Sequence, residues 1–253
     1  MKRIIEILVW SILFTGIIIL LSFVSIEHKK IECKSFDISL DYGDDNFDIF
    51  LTADEIKEKI YQITDTLPGQ LLANIDVELI ENEIKNIPYV ADAEVYSTIN
   101  GNIKSIITQR KAMVKIINHF GESYYLDNEQ NVMPLSKKHS AHVLIASGYI
   151  GHKLQDTIKN NSTIKNVYTL AKAIINDEFF KAQIEQIYIN KKNEIELIPK
   201  VGNHIIIFGS INNIDEKLEK LMLFYTKGLK KTGWNKYKTV NLKYRNQIVC
   251  TKI

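Results

Sequence analysis

The chain has 253 residues, with 32 Lys and Arg against 30 Asp and Glu, a formal net charge of +2, and 45% hydrophobic residues. So near neutrality it lacks the concentrated basic excess that phosphate backbones demand, which argues against nucleic acid as the main partner. Two cysteines, Cys33 and Cys250, do not make a disulfide framework and read as two independent thiols.

Ile7 to Ile26 carry no charged side chain. Twenty helical residues rise about 30 Å, the thickness of a bilayer's hydrocarbon core. The run predicts one transmembrane helix over residues 4–26, anchored through Trp10, Phe14, Leu20 and Phe23, with Lys2 and Arg3 reaching the headgroups. A cleaved signal peptide would end in small residues of the Ala-x-Ala kind, and Leu21-Ser22-Phe23-Val24-Ser25-Ile26 has no such pattern. Positive charge nearly balances across the span, Lys2 and Arg3 against Lys29, Lys30 and Lys34. Size therefore sets the orientation: residues 1–3 form a cytoplasmic end, and the large remainder is placed outside the cytoplasm.

Beyond the span, Lys34 to Asp41 alternates as a strand, with Phe36, Ile38 and Leu40 on one face. The acidic loop from Asp41 to Asp48 lacks the Gly and Glu register of a calcium loop and reads as solvated. Thr52-Ala53-Asp54-Glu55 is a capping box, opening a helix with Ile56, Ile60 and Ile63 on one face. A second helix starts at Asp76, presents Ile80, Ile84 and Ile87, and stops before Pro88. Strands Ala91 to Thr98 and Ile103 to Arg110 meet at Asn100-Gly101, a strong hairpin signal. The order is β-α-α-β-β, a small self-sufficient module.

The rest is richer in strand. Met113 to His119 and Glu122 to Leu126 flank Phe120-Gly121, and Met133-Pro134-Leu135 leads to a strand from Val143 to Ser147. A helix from Thr163 to Asn176 turns Ile164, Val167, Tyr168, Ala171, Ile174 and Ile175 inward. Strands Ile184 to Asn190, Glu194 to Pro199 and His204 to Phe208 follow. A further helix carries Ile214, Leu218, Leu221, Met222 and Tyr225, and strands Thr239 to Tyr244 and Gln247 to Lys252 come last. The fold class is α+β, with a β-rich larger domain flanked by helices.

Several short motifs in this order resemble the FtsQ/DivIB family of bacterial division proteins, in a Bacteroidetes-like style. They are Leu72-Ala73-Asn74-Ile75-Asp76, Ile87-Pro88-Tyr89-Val90-Ala91-Asp92-Ala93-Glu94-Val95, Ile106-Ile107-Thr108-Gln109-Arg110, Tyr124-Tyr125-Leu126-Asp127 with Met133-Pro134-Leu135-Ser136, and Trp234 to Tyr237 before Val240 to Val249. Two places depart from it: Ala112 stands where Pro is frequent, and Gln130-Asn131 where a turn Gly is common. The resemblance implies a POTRA domain over 35–111, a β-rich domain over 112–253, and a non-catalytic divisome scaffold at the septum. Its partners would be the plasma membrane, small bitopic coiled-coil division proteins of the FtsB/DivIC and FtsL type, and septal cell-wall synthesis proteins.

The closing strands carry their own physical argument. A terminal strand at a sheet edge leaves unpaired N–H and C=O groups that template another strand. Tyr244, Asn246, Gln247, Ile248 and Val249 are the expected partner-binding residues, with Tyr244 as aromatic anchor. No catalytic constellation is legible and no metal or cofactor is expected: His139-x-x-His142 lacks a third ligand, and nucleophile-elbow, phosphate-loop and Cys-x-x-Cys motifs are missing. Two alternatives remain, a POTRA-bearing component of secretion or outer-membrane assembly and a membrane-tethered cell-wall enzyme.

Overall fold

The computed structural model describes residues 10–19, 31–43, 48–151 and 161–253. Residues 10–19 are helical, and every side chain in that stretch is exposed, Trp10, Phe14, Ile17 and Ile18 among them. Among the described residues no helix is long and apolar enough to cross a membrane. The other parts of the expected 4–26 span, Leu20 and Phe23 included, lie outside the described residues, as do residues 44–47 of the acidic loop. The chain divides into two compact units, Met1–Arg110 and Lys111–Ile253.

In the first unit, β1 (Ser35–Asp41) is followed by helix α1 (Ala53–Thr64), helix α2 (Val77–Lys85), β2 (Val90–Ser97) and β3 (Asn102–Gln109). The strands lie in the order β1-β3-β2, with β1 parallel and β2 antiparallel to the central β3. The capping box forms as expected: Thr52 Oγ1 accepts from the Glu55 amide at 3.4 Å, and Glu55 Oε2 accepts from the Thr52 amide at 2.9 Å. Asp76 caps α2 by accepting from the Leu79 amide at 2.9 Å. Ile56, Ile60, Ile80 and Ile84 are fully buried against the sheet, each contributing about 1.5–3 kcal/mol of apolar transfer. Ile63 departs from its expected place: at 47% exposure it lies off the buried stripe.

A buried glutamine completes this unit. Gln109 Oε1 accepts from the Phe50 and Leu51 amides at 2.8 and 3.1 Å, while its Nε2 donates to the Asp48 carbonyl at 2.7 Å. One side chain thus gives the loop before α1 the bonds a neighbouring strand would supply, satisfying buried backbone groups.

The second unit contains β4 (Ala112–Asn118), β5 (Ser123–Asp127), β6 (Val132–Pro134), β7 (Leu144–Gly148), α3 (Ser162–Ile175), α4 (Glu178–Gln183), β8 (Ile184–Ile189), β9 (Ile195–Pro199), β10 (Ile205–Gly209), α5 (Ile214–Leu223), a π-helical turn Phe224–Gly228, α6 (Leu229–Thr232), β11 (Tyr237–Asn241) and β12 (Val249–Lys252). The strands form one nine-stranded sheet in the order β12-β11-β10-β9-β8-β7-β4-β5-β6. Pairs β4–β7, β7–β8 and β10–β11 are parallel and the rest antiparallel. Register aligns Val240, Ile206, Leu197, Ile187, Ala146, Ile116 and Tyr124 in one row, all buried on the face that the helices cover. Alternation places Ile117, Ile145, Tyr188 and Ile207 on the opposite face, where they stay at least partly exposed.

Three expectations need correction. Helix α4 was not anticipated; Asp177 caps it by accepting from the Phe179 and Phe180 amides. Ile175 of α3 is only partly buried. The final hairpin is shifted: β11 runs Tyr237–Asn241 instead of Thr239 to Tyr244 and β12 begins at Val249 instead of Gln247, leaving residues 242–248 as a loop.

Candidate interaction edge

The sheet has two borders of unequal quality. At one lies β6, three residues long and containing Pro134, which has no N–H to offer, so that border is blunted. At the other lies β12, which pairs only with β11 among the described residues.

Hydrogen bonds fix which β12 groups face outward. The Leu242 amide donates to Ile207 of β10 at 2.9 Å, so even-numbered residues of β11 point to β10 and Thr239 and Asn241 point to β12. Their register partners Thr251 and Val249, and Ile253, whose amide donates to Lys236, therefore face inward. By the alternation of a strand, Cys250 and Lys252 direct their N–H and C=O groups away from the sheet. No charged side chain other than Lys252 sits on the strand.

The segment leading into this hairpin is held by aromatic packing. The Trp234 ring lies 5.5 Å from that of Tyr225, and Tyr237 lies 5.8 Å from Phe224, both partners belonging to the π-helical turn. Beneath them the Tyr225 hydroxyl sits 2.7 Å from His204 Nε2, with both residues buried. His204 Nδ1 has no partner among the described residues, and burial lowers the pKa of this imidazole while raising that of the Tyr225 hydroxyl. Gly202, at φ +96°, lies so close that a Cβ there would be 2.9 Å from the His204 ring.

Of the residues expected at the edge, only Val249 belongs to β12; Tyr244, Asn246, Gln247 and Ile248 occupy the preceding loop. Leu242 is buried and spends its amide on β10, and Lys243 donates its own amide to the Asn241 side chain at 3.0 Å, which ends the ladder. Asn246 adopts φ 58°, a left-handed turn conformation that asparagine tolerates. Tyr244 is 48% exposed beside the edge, and its carbonyl accepts from Lys220 Nζ at 2.9 Å. Ile248 packs against the core. The loop is pinned by Lys243, whose ammonium lies 2.6 Å from Glu194; that contact lowers the glutamate pKa and raises that of the lysine. Cys250 and Lys252, the residues whose backbone faces out, lie in the strand expected from Gln247 to Lys252 but outside the expected partner-binding set.

The two thiols are free, Cys33 buried in the first unit and Cys250 half-buried in the second, and burial raises the pKa of both. Among the described residues no group of three or more His, Cys, Asp or Glu is arranged to hold a metal.

Comparison with known proteins fits this architecture. No curated protein is significantly similar to the chain. Among solved structures, POTRA1-2 of the periplasmic domain of Omp85 from Anabaena is 12% identical, spans 63% of this chain and 93% of its own, and superposes with a TM-score of 0.26; likeness at that level carries no argument. A POTRA-like domain model matches residues 31–108, which contain the three-stranded unit. The model described as FtsQ/DivIB, C-terminal related, matches residues 111–251, over half of the chain and nearly all of the nine-stranded unit. The chain belongs to the FtsQ/DivIB family.

Proposed function

We propose that the protein is a membrane-anchored, non-catalytic scaffold of the bacterial division machinery that captures a strand of a partner on the open border of β12. The observation that carries this reading is the asymmetry of the large sheet, one border closed by a short proline-bearing strand and the other left with outward backbone groups. The partners proposed are small bitopic coiled-coil division proteins of the FtsB/DivIC and FtsL type, and through them the septal cell-wall synthesis proteins. Family membership and the POTRA-like unit support a role in division. The uncharged run from Ile7 to Ile26, whose described part is an exposed apolar helix, supports an anchor in the plasma membrane with the bulk of the chain outside the cytoplasm.

Energetics make anchor and edge parts of one device. Two outward residues offer about four backbone hydrogen bonds, each netting roughly 0.5–1.5 kcal/mol. That sum is at or below the cost of bringing two proteins together from solution. Confinement to one bilayer raises their effective concentration, as a linker does, so a weak edge contact suffices.

Cys250→Pro tests the reading. Proline removes one outward N–H while leaving the inward bonds of Val249 and Thr251 in place, a substitution edge strands tolerate. Losing one bond and stranding the partner's acceptor costs about 2–4 kcal/mol, a drop of roughly 30- to 700-fold in affinity. Cys250→Ala, which keeps the N–H, retains partner. Tagged full-length protein isolated from membranes should lose its division partners in the proline variant, as quantified by mass spectrometry. Equal recovery from both variants would show that β12 is not the docking element.

A further inference from the structure

Near-neutrality of the whole chain conceals a segregation of charge. Residues 31–110 carry sixteen Asp and Glu against six Lys and Arg, a balance of −10. Residues 111–253 carry twelve against twenty-two, a balance of +10. The basic excess is concentrated: from Lys220 to Lys252 there are nine Lys and Arg and no Asp or Glu. Opposite charge on two separately packed units of one chain is a pattern of partner selection rather than of fold.

The acidic unit has a bare surface on which such charge can act. Its helices cover one face of the β1-β3-β2 sheet, and the other face is exposed along every row. Register sets Asp37, Lys104 and Tyr96 in one row, Ser39, Ile106 and Glu94 in the next, and Asp41, Thr108 and Asp92 in the third. Ile106 on the central β3 is 46% exposed and Tyr96 on the border strand β2 is 38% exposed, with four carboxylates and a single lysine in the same three rows. Lys85 reaches Asp92 from the rim at 3.6 Å, leaving Asp37, Asp41 and Glu94 to set the sign of the face. An exposed apolar centre with an acidic rim fits a basic surface carrying apolar side chains. The hairpin region of the second unit has that composition, with the exposed Lys236, Lys238 and Arg245 close in sequence to the exposed Trp234 and Tyr244.

We propose that copies of this protein associate head to tail, the open sheet face of the first unit in one copy receiving the basic C-terminal stretch, residues 220–252, of a second copy. Such a contact is heterologous, so it extends to further copies unless it closes into a ring. Each exposed charge pair is weak alone and falls away with salt, because the Debye length shrinks from about 30 Å at 0.01 M to about 8 Å at 0.15 M. Anchoring in one membrane compensates by concentrating the copies. The contact uses side chains around β12 and not its outward amides, so it stands or falls separately from strand capture.

Among the described residues both hydrophobic cores lie between Cys33 and Leu242, so residues 31–253, which carry both, are the form to study in solution. Sedimentation velocity at about 0.01 M salt should show mass rising with protein concentration, reverting to monomer near 0.15 M. Asp37→Asn with Glu94→Gln should abolish association at low salt, and Lys236→Glu with Lys238→Glu should do the same. Combining that lysine pair with Asp37→Lys and Glu94→Lys should restore it. Glu58→Gln with Glu78→Gln, which removes equal charge from the helical side, should leave it intact, as should Cys250→Pro. A monomer at low salt overturns the proposal, and so does association that survives neutralising the sheet face or is not restored by the charge exchange.

Discussion

Gln109→Leu is the most informative stability test of the first unit. The substitution keeps an apolar stem of similar size and removes bonds to Phe50, Leu51 and Asp48, measured at 2.8, 3.1 and 2.7 Å. At roughly 0.5–1.5 kcal/mol net per bond the loss is about 1.5–4.5 kcal/mol. A domain of this size shifts its melting temperature by about 4–8 °C per kcal/mol, so the middle of that range lowers it by some 12–24 °C. Differential scanning calorimetry of residues 31–253 resolves the effect where the two units, each with its own core, melt as separate transitions. The transition of the first unit should move and that of the second should stay. A shift below about 2 °C, or equal movement of both transitions, would refute the view that this side chain substitutes for a strand.

Further outcomes follow from the same geometry. Ile84→Ala opens a cavity in the first core and should cost about 2–5 kcal/mol there, with the second unit's urea midpoint unchanged. Gly202→Ala combines a positive φ with a Cβ 2.9 Å from the His204 ring; it should destabilise the second unit by more than about 1 kcal/mol, and equal urea midpoints would refute the close packing. The folded His204 has its pKa lowered from 6.5, so the unfolded chain binds the proton first as pH falls. Stability should therefore be lost as pH drops below 6.5 towards the lowered folded value. His204→Phe should lose less stability than wild type between pH 7 and 5, and parallel urea midpoints would exclude the histidine as the cause.

How much could be read from residues alone varied with the range of the signal. Short-range chemistry was legible: the capping box at Thr52, the cap at Asp76 and the Asn100-Gly101 hairpin each depend on neighbours a few positions away. Isoleucine spacing gave the buried faces of α1 and α2 but placed Ile63 wrongly, because the helix ends at Thr64 and its last turn no longer faces the sheet. Helix α4 has six residues, too few for any period to emerge, and only the Asp177 cap announced it. The β11–β12 boundaries depended on where Leu242 and Lys243 send their amides, a matter of β10 and of the Asn241 side chain. The bonds made by Gln109 cross about sixty residues of chain, beyond any local pattern. Charge was hidden by summation, since the balances of the two units cancel.

The inequality of the large sheet's two borders limits stoichiometry. A sheet with two serviceable borders passes strands from molecule to molecule indefinitely, whereas one whose far side ends in Val132–Pro134 takes up a single strand and stops. On the proposed reading, strand capture on β12 would saturate at one guest per chain, and the number of complexes would follow the number of copies present.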